Sequence, residues 1–201
     1  MNRRNFLFAG TSLTLLAACA DDAPPPTATA AAAPQVRHLV ALPQDSNPVS
    51  DELSKYPSCT YCGMDRTKYH HSRHLVHYDD NAVDPTCSIH CAAVSLSLHL
   101  DRGPKAIYAA DFGATVAPKP LVNVDVATYL IGSTLPGTMT ARSKMAFASL
   151  DAAVVAKTTN GGALANFDDA LAAAYADTAK DTKAIRRRRA ERRAKAAQEK
   201  K

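Results

Sequence analysis

Three patterns are missing from this chain of 201 residues, and each absence removes a class of function. No G-x-S-x-G motif occurs, so the strained turn that lifts a serine nucleophile above an α/β-hydrolase sheet has no counterpart. No C-x-x-C-H occurs, because Gly63 stands where covalent haem needs a histidine after the cysteine pair. The one apolar run near the amino terminus is shorter than the roughly 20 residues that span a bilayer. With no catalytic pattern in view, the chain reads as a binding protein rather than an enzyme.

What is present points to export. "MNRRNFLFAGTSLTLLAACADD" has a basic start (Arg3, Arg4), an apolar stretch and small residues before a cysteine, the order of a signal peptide over residues 1–18. "NRRNFLF" resembles a twin-arginine signal, and a plain basic start is the alternative. "LAAC" resembles the bacterial lipobox, which makes Cys19 the lipidated first residue of the mature protein. That places the protein in the cell envelope, lipid-anchored and facing the periplasm, an oxidising compartment. Residues 19–35, rich in Ala and Pro, form an extended tether that buries little.

The domain spans residues 36–179, and an apolar fraction of 46% is enough to build its core. Charge separates at its end. Residues 180–201 carry 11 Lys+Arg against 3 Asp+Glu, a net +8, which leaves the preceding residues at −3 within a total of +5. The tail has good helix formers and no apolar stripe, so it is solvated helix or disordered. It serves solubility, or attraction to anionic lipid or an acidic partner. The exported address argues against nucleic acid.

Strands are predicted at "RHLVHY", "AIYAADF", "DVATYLIGS" and "SKMAFA", with a turn at "DDNA". A helix capped by Thr86 is predicted from Ile89, Ala92, Ala93, Leu96 and Leu100 at helical spacing. A second begins after Ser149 and stops at "NGG", and a third opens on Asn166. The order strand, strand, helix, strand occurs twice, so the expected fold is α+β, a single domain of two similar small lobes.

Four cysteines follow the lipobox: Cys59 and Cys62 in "YPSCTYCGMDR", Cys87 and Cys91 in "TCSIHC". An even number in an exported protein admits disulfides. Cys87 and Cys91 lie four apart on the predicted helix, where one face suits convergence on an ion better than disulfide torsions. His90 could join from the edge of that face. The 24 residues between the pairs suffice for a hairpin that brings them together. Thiolates and thioethers are soft donors that select Cu(I), Zn or Fe–S centres. Met64 adds a thioether that a zinc knuckle does not need, and Gly63 allows the turn that directs Cys62 and Met64 to one point. Cu(I) in an exchangeable site is the leading reading. A closed zinc site of all four cysteines, structural or sensing, and a thiol–disulfide oxidoreductase pair at "CTYC" are the alternatives.

The histidines of "KYHHSRHLVHY" (His70, His71, His74, His77) diverge on a turn and strand, and are expected on the surface, with auxiliary copper capture as the other use. Met139, on the glycine turn "PGTM", is a further candidate thioether; Met145 reads as core.

"CTYCGM" after a lipobox and tether, followed by "ATYLIGSTLPGTMT" and "AFASLDAAVVAKTTNGGALANFDDALAAA", resembles the NosL family of nitrous oxide reductase accessory lipoproteins. The likeness extends over roughly Pro57 to Tyr175. It implies a membrane-tethered Cu(I) carrier, copper chaperone-like, that supplies a copper-receiving enzyme such as nitrous oxide reductase or works with a membrane transporter complex. It also implies an α+β fold of two similar lobes, like that of organomercurial lyases. Cys62 and Met64 carry over on the motif, and Met139 on the glycine turn. "TCSIHC" departs from the denitrification proteins, so the chain resembles a branch with an extra Cys-x-x-x-Cys pair.

Overall fold

The computed structural model describes residues 40–199. The expected signal peptide, Cys19, the expected tether and the predicted start of the domain at Val36 lie outside the described residues.

After a short helix α1 (Glu52–Lys55), the chain forms β1 (His74–Tyr78), β2 (Val83–Thr86), α2 (Ile89–Leu98), β3 (Pro104–Ala110) and β4 (Leu121–Asn123). It then forms β5 (Thr128–Ile131), β6 (Lys144–Phe147), α3 (Leu150–Asn160), β7 (Ala163–Ala165) and α4 (Phe167–Gln198). Two antiparallel sheets result, ordered β2-β1-β3-β4 and β6-β5-β7. The strand-strand-helix-strand order recurs, with the first strand of each set in the middle of its sheet, so two similar lobes make one α+β domain.

Apolar packing joins the lobes. Val76, Tyr78 and Ile107 of the first sheet share a core with Ile89, Ala92 and Ala93 of α2, Tyr129 and Ala146 of the second sheet, and Phe167, Ala170 and Ala174 of α4. The sheets also touch through backbone: Phe112 N–H donates to Ala146 O at 2.7 Å. Met145 is core, in a second cluster with Leu130, Phe147 and Ala153.

Caps behave as their chemistry requires. Ser149 Oγ accepts from Ala152 N–H, and Asn166 Oδ1 from Asp169 N–H, each filling an orphan donor at a helix start. α3 ends at Gly161 as expected. α4 runs unbroken to Gln198, so the basic segment from residue 180 continues the last domain helix. No helix among the described residues is long and apolar enough to cross a membrane.

Three expectations change. Thr86 is the last residue of β2, and Ser88 takes the N-cap position of α2 without a side-chain capping hydrogen bond, so Cys87 precedes the helix. Leu100 lies past the end of α2 and is exposed. His74 and His77 are buried, because every residue of β1 is covered on both faces.

His74 has a defined tautomer. Its Nδ1–H donates to Ser72 O at 3.0 Å, and its Nε2 accepts from Tyr129 O–H at 3.0 Å across the lobes. Burial pushes its pKa down to about 4, with the Arg66 and Arg73 charges adding to the effect. The unfolded chain therefore binds a proton near pH 6.5 that the folded one refuses until about pH 4, so stability falls as pH drops through that window. The loss is of order 3 kcal/mol. Urea unfolding at stepped pH values between 7 and 4 is expected to show this slope in the wild type and a flatter one in His74→Gln. Equal slopes would assign the acid sensitivity elsewhere.

Candidate metal centre

The loop from Ser58 to Asp65 is a closed turn. These two residues pair, Cys59 N–H donates to Met64 O at 2.9 Å, and Gly63 N–H to Cys59 O at 3.0 Å. Gly63 sits at φ 69°, a left-handed conformation that a side chain would strain. The turn is then fastened to β2: Thr60 N–H donates to Pro85 O at 3.1 Å, and Tyr61 O–H to the buried Asp84 carboxylate. Asp84 Oδ2 also accepts from Ser95 Oγ at 2.5 Å, on α2. Burial raises the Asp84 pKa, and the hydroxyl donors oppose that rise.

A fully buried guanidinium sets the other side. Arg66 Nε donates to Thr86 O at 3.2 Å, the residue before Cys87, and Arg66 Nη1 meets Glu52 Oε2 at 2.8 Å. Arg73 Nε meets Glu52 Oε1 at 2.6 Å. One buried carboxylate thus serves two buried arginines, and Arg66 is close enough for its charge to couple to Cys59.

These supports bring the two cysteine pairs together. The sulfurs of Cys59, Cys62, Cys87 and Cys91 all lie within 4.8 Å of one another. Cys62 Sγ is 3.4 Å from Cys87 Sγ, Cys87 Sγ is 3.8 Å from Cys91 Sγ, and Cys91 Sγ is 3.9 Å from Cys62 Sγ. A tetrahedron with metal–sulfur bonds of about 2.3 Å has edges of about 3.8 Å, so the set could close on one ion. All four are free thiols. Cys59, Cys87 and Cys91 are buried, while Cys62 is half-buried and reaches the rim.

Electrostatics within the set are uneven. Hydrogen bonds from the Cys87 and Cys91 thiols hold the Cys59 thiol well below its usual range, against the effect of burial, with backbone amides of Cys62 and Tyr61 assisting. Cys87 is pushed up, first by sharing its proton with Cys59, and Cys91 is pushed up by Cys59 and then Cys87. One thiolate stabilised by its neighbours' protons is a ready first ligand, and binding an ion then releases the remaining protons.

Both candidate thioethers reach the cluster. Met64 Sδ is 3.9 Å from Cys87 Sγ, and Met139 packs against the cysteines from the second lobe. Met139 has φ 64°, a left-handed backbone that costs roughly 1–2 kcal/mol for a residue with a side chain. The turn before it needs Gly137, where a Cβ would fall 2.3 Å from Thr140 O. The Ser72 hydroxyl ties the parts together, 2.9 Å from Cys87 O and 2.8 Å from Thr138 Oγ1.

His90 is not among the four clustered donors. It is half-buried in the first turn of α2, its Nδ1 without a hydrogen-bond partner among the described residues, and it couples electrostatically to Asp181 and Lys144. The other histidines stand apart too: His70 Nδ1 accepts from Lys119 N–H at 3.1 Å, and His71 packs edge-on to Phe112. Sequence reasoning did not find Tyr61, Ser72, Thr138 or the Glu52–Arg66–Arg73 group. Only Tyr61, between the two cysteines, carried a positional signal.

No curated protein matches the chain. Solved structures resemble it, two of them NosL proteins. The copper chaperone NosL from Shewanella denitrificans is 22% identical with a TM-score of 0.49, covering 63% of this chain and 95% of that one. The apo-NosL protein from Achromobacter cycloclastes is 21% identical with a TM-score of 0.35, covering 48% and 82%. The family model described as NosL matches residues 48–175, a span that holds all four clustered cysteines, Met64 and Met139. A match over well more than half of its length makes this chain a member of the NosL family.

Proposed function

We propose that this protein is a Cu(I) carrier of the bacterial envelope, tethered to the membrane through Cys19 and delivering copper for assembly of a copper enzyme such as nitrous oxide reductase. The observation that carries this reading is the donor set: four thiols within 4.8 Å of one another, with the Met64 thioether 3.9 Å from Cys87 and Met139 packed alongside. Such soft donors favour Cu(I). Exchange also has a route, because Cys62, Met64 and Met139 are only half-buried while the other three thiols are covered. An incoming ion can meet a rim thioether or thiol first and pass inward by stepwise ligand exchange. Membership of the NosL family supports the same direction.

Anaerobic titration of the reduced protein against competing Cu(I) chelators is expected to give one copper bound far more tightly than micromolar. Micromolar or weaker binding would sink the carrier reading.

The sulfur–sulfur distances favour a second reading, a zinc site closed by the four cysteines, since three of them lie near the tetrahedral edge. The two readings separate on Met64. A carrier loses Cu(I) affinity in Met64→Ala. A structural zinc site keeps its zinc in that variant and resists displacement by excess Cu(I). An oxidoreductase gains less support, because "CTYC" runs into the Gly63–Met64 turn rather than a helix.

A further inference from the structure

Beside the cluster, a groove of about 460 Å3 runs between the Met139 turn and the carboxyl-terminal half of α4. Met139 and Thr140 form one wall, and Asp181, Arg188, Arg189 and Arg192 belong to the other. Met139 is therefore shared: it packs on the cysteines and also lines the groove. The three arginines are exposed, and none has a carboxylate partner among the described residues, whereas Arg187 pairs with Glu191 at 3.6 Å. Asp181 forms no ion pair with them and offsets one of their three charges at most. It is buried, and its Oδ1 accepts from Ala141 N–H at 3.4 Å. The groove thus carries three guanidinium groups without a carboxylate partner among the described residues, where the second lobe's thioether meets solvent; Arg192 Nε donates only to the Arg188 carbonyl, at 3.4 Å.

A bare Cu(I) ion is repelled by that arrangement. A copper complex wrapped in carboxylate or sulfonate groups is attracted, and guanidinium forks hydrogen-bond those groups in pairs. Resting on the copper reading, we propose that the arginine groove is a docking site for anionic Cu(I) complexes, so that copper arrives and departs carried by acidic ligands. Arg188, Arg189 and Arg192 hold the acidic groups while Met139 displaces one donor atom from the ion. Each bond from copper to the carrier is replaced by one to sulfur, copper stays in the +1 state, and protons leave the thiols for solvent. The basic half of α4 is then part of the transfer machinery rather than a solubilising appendage.

The test compares two copper donors of opposite charge by anaerobic stopped-flow: the anionic bicinchoninate complex and the cationic acetonitrile complex. In R188Q/R189Q/R192Q, uptake from the bicinchoninate complex is expected to slow roughly tenfold, as for loss of electrostatic steering, and the difference from wild type should shrink at high salt. Uptake from the acetonitrile complex should not slow. Equal slowing with both donors, or no slowing with either, would overturn the proposal. A repeat with phosphatidylglycerol vesicles separates a lipid role: persistence of the donor preference supports the groove, and its abolition reassigns the arginines to the membrane. If the wild type takes copper from neither donor, the copper reading itself fails, and this inference with it.

Discussion

Cys87→Ser is expected to weaken Cu(I) binding by roughly 10²–10³-fold, more than the 10–100-fold typical of losing a residue that only orients a ligand. Cys87 is the hub of the cluster: its sulfur lies 3.4 Å from Cys62, 3.8 Å from Cys91 and 3.9 Å from the Met64 thioether. Serine preserves the shape but offers a hard oxygen whose proton is not lost near neutral pH, so a soft ion loses its central donor. Fold stability should hardly change, because the backbone carbonyl of residue 87 still accepts from Ser72. Competitive chelator titration gives the affinity, and thermal unfolding of the same samples controls for misfolding. An affinity within threefold of wild type would show that the ion, if bound, sits elsewhere.

Glu52→Gln should be the most destabilising isosteric change outside the cluster. It leaves Arg66 and Arg73, 0% and 3% exposed, side by side without the carboxylate that pairs with both. Breaking a buried pair from one side costs about 3–5 kcal/mol, because an uncompensated charge stays inside. For a chain of this size that corresponds to a fall in Tm of roughly 6–20 °C. The damage should reach the metal centre as well. Arg66 holds Thr86 O next to Cys87, so a shifted guanidinium moves the hub thiol. Differential scanning calorimetry with a parallel copper titration tests both parts. A Tm within about 2 °C of wild type, far inside the size-scaled expectation, would mean that water reaches and solvates the two arginines.

The general plan was legible where patterns are long. The duplicated strand-strand-helix-strand order and the caps at Ser149 and Asn166 follow from periodicity and capping chemistry. Short or exceptional pieces were not. β2 contains Pro85, which normally argues against a strand, and it survives because β2 is at a sheet edge, where a missing N–H leaves no ladder bond unmade. β4 and β7 have three residues each, too few to show alternation. His74 and His77 were misjudged because alternation presumes one wet face, and β1 has none. The cysteine grouping was legible from pairing and spacing, although Cys87 comes from the strand–helix junction rather than from α2. The 3.4 Å approach of Cys62 to Cys87 joins one pair to the other, which no spacing rule within a motif contains. The Ser72–Thr138 contact depends on how two lobes meet, a relation spread over 66 residues of sequence.

Every thiol of the cluster comes from the turn before β1 or from the β2–α2 segment of the first repeat, whereas the second repeat contributes a single thioether on a strained turn. On the carrier reading, the two lobes, alike in topology, divide their labour: one is a vessel and the other its stopper. A vessel built from one contiguous stretch can keep its contents while the stopper is exchanged. The second lobe is then where a lineage could change which partners the protein serves without rebuilding the place where the ion rests.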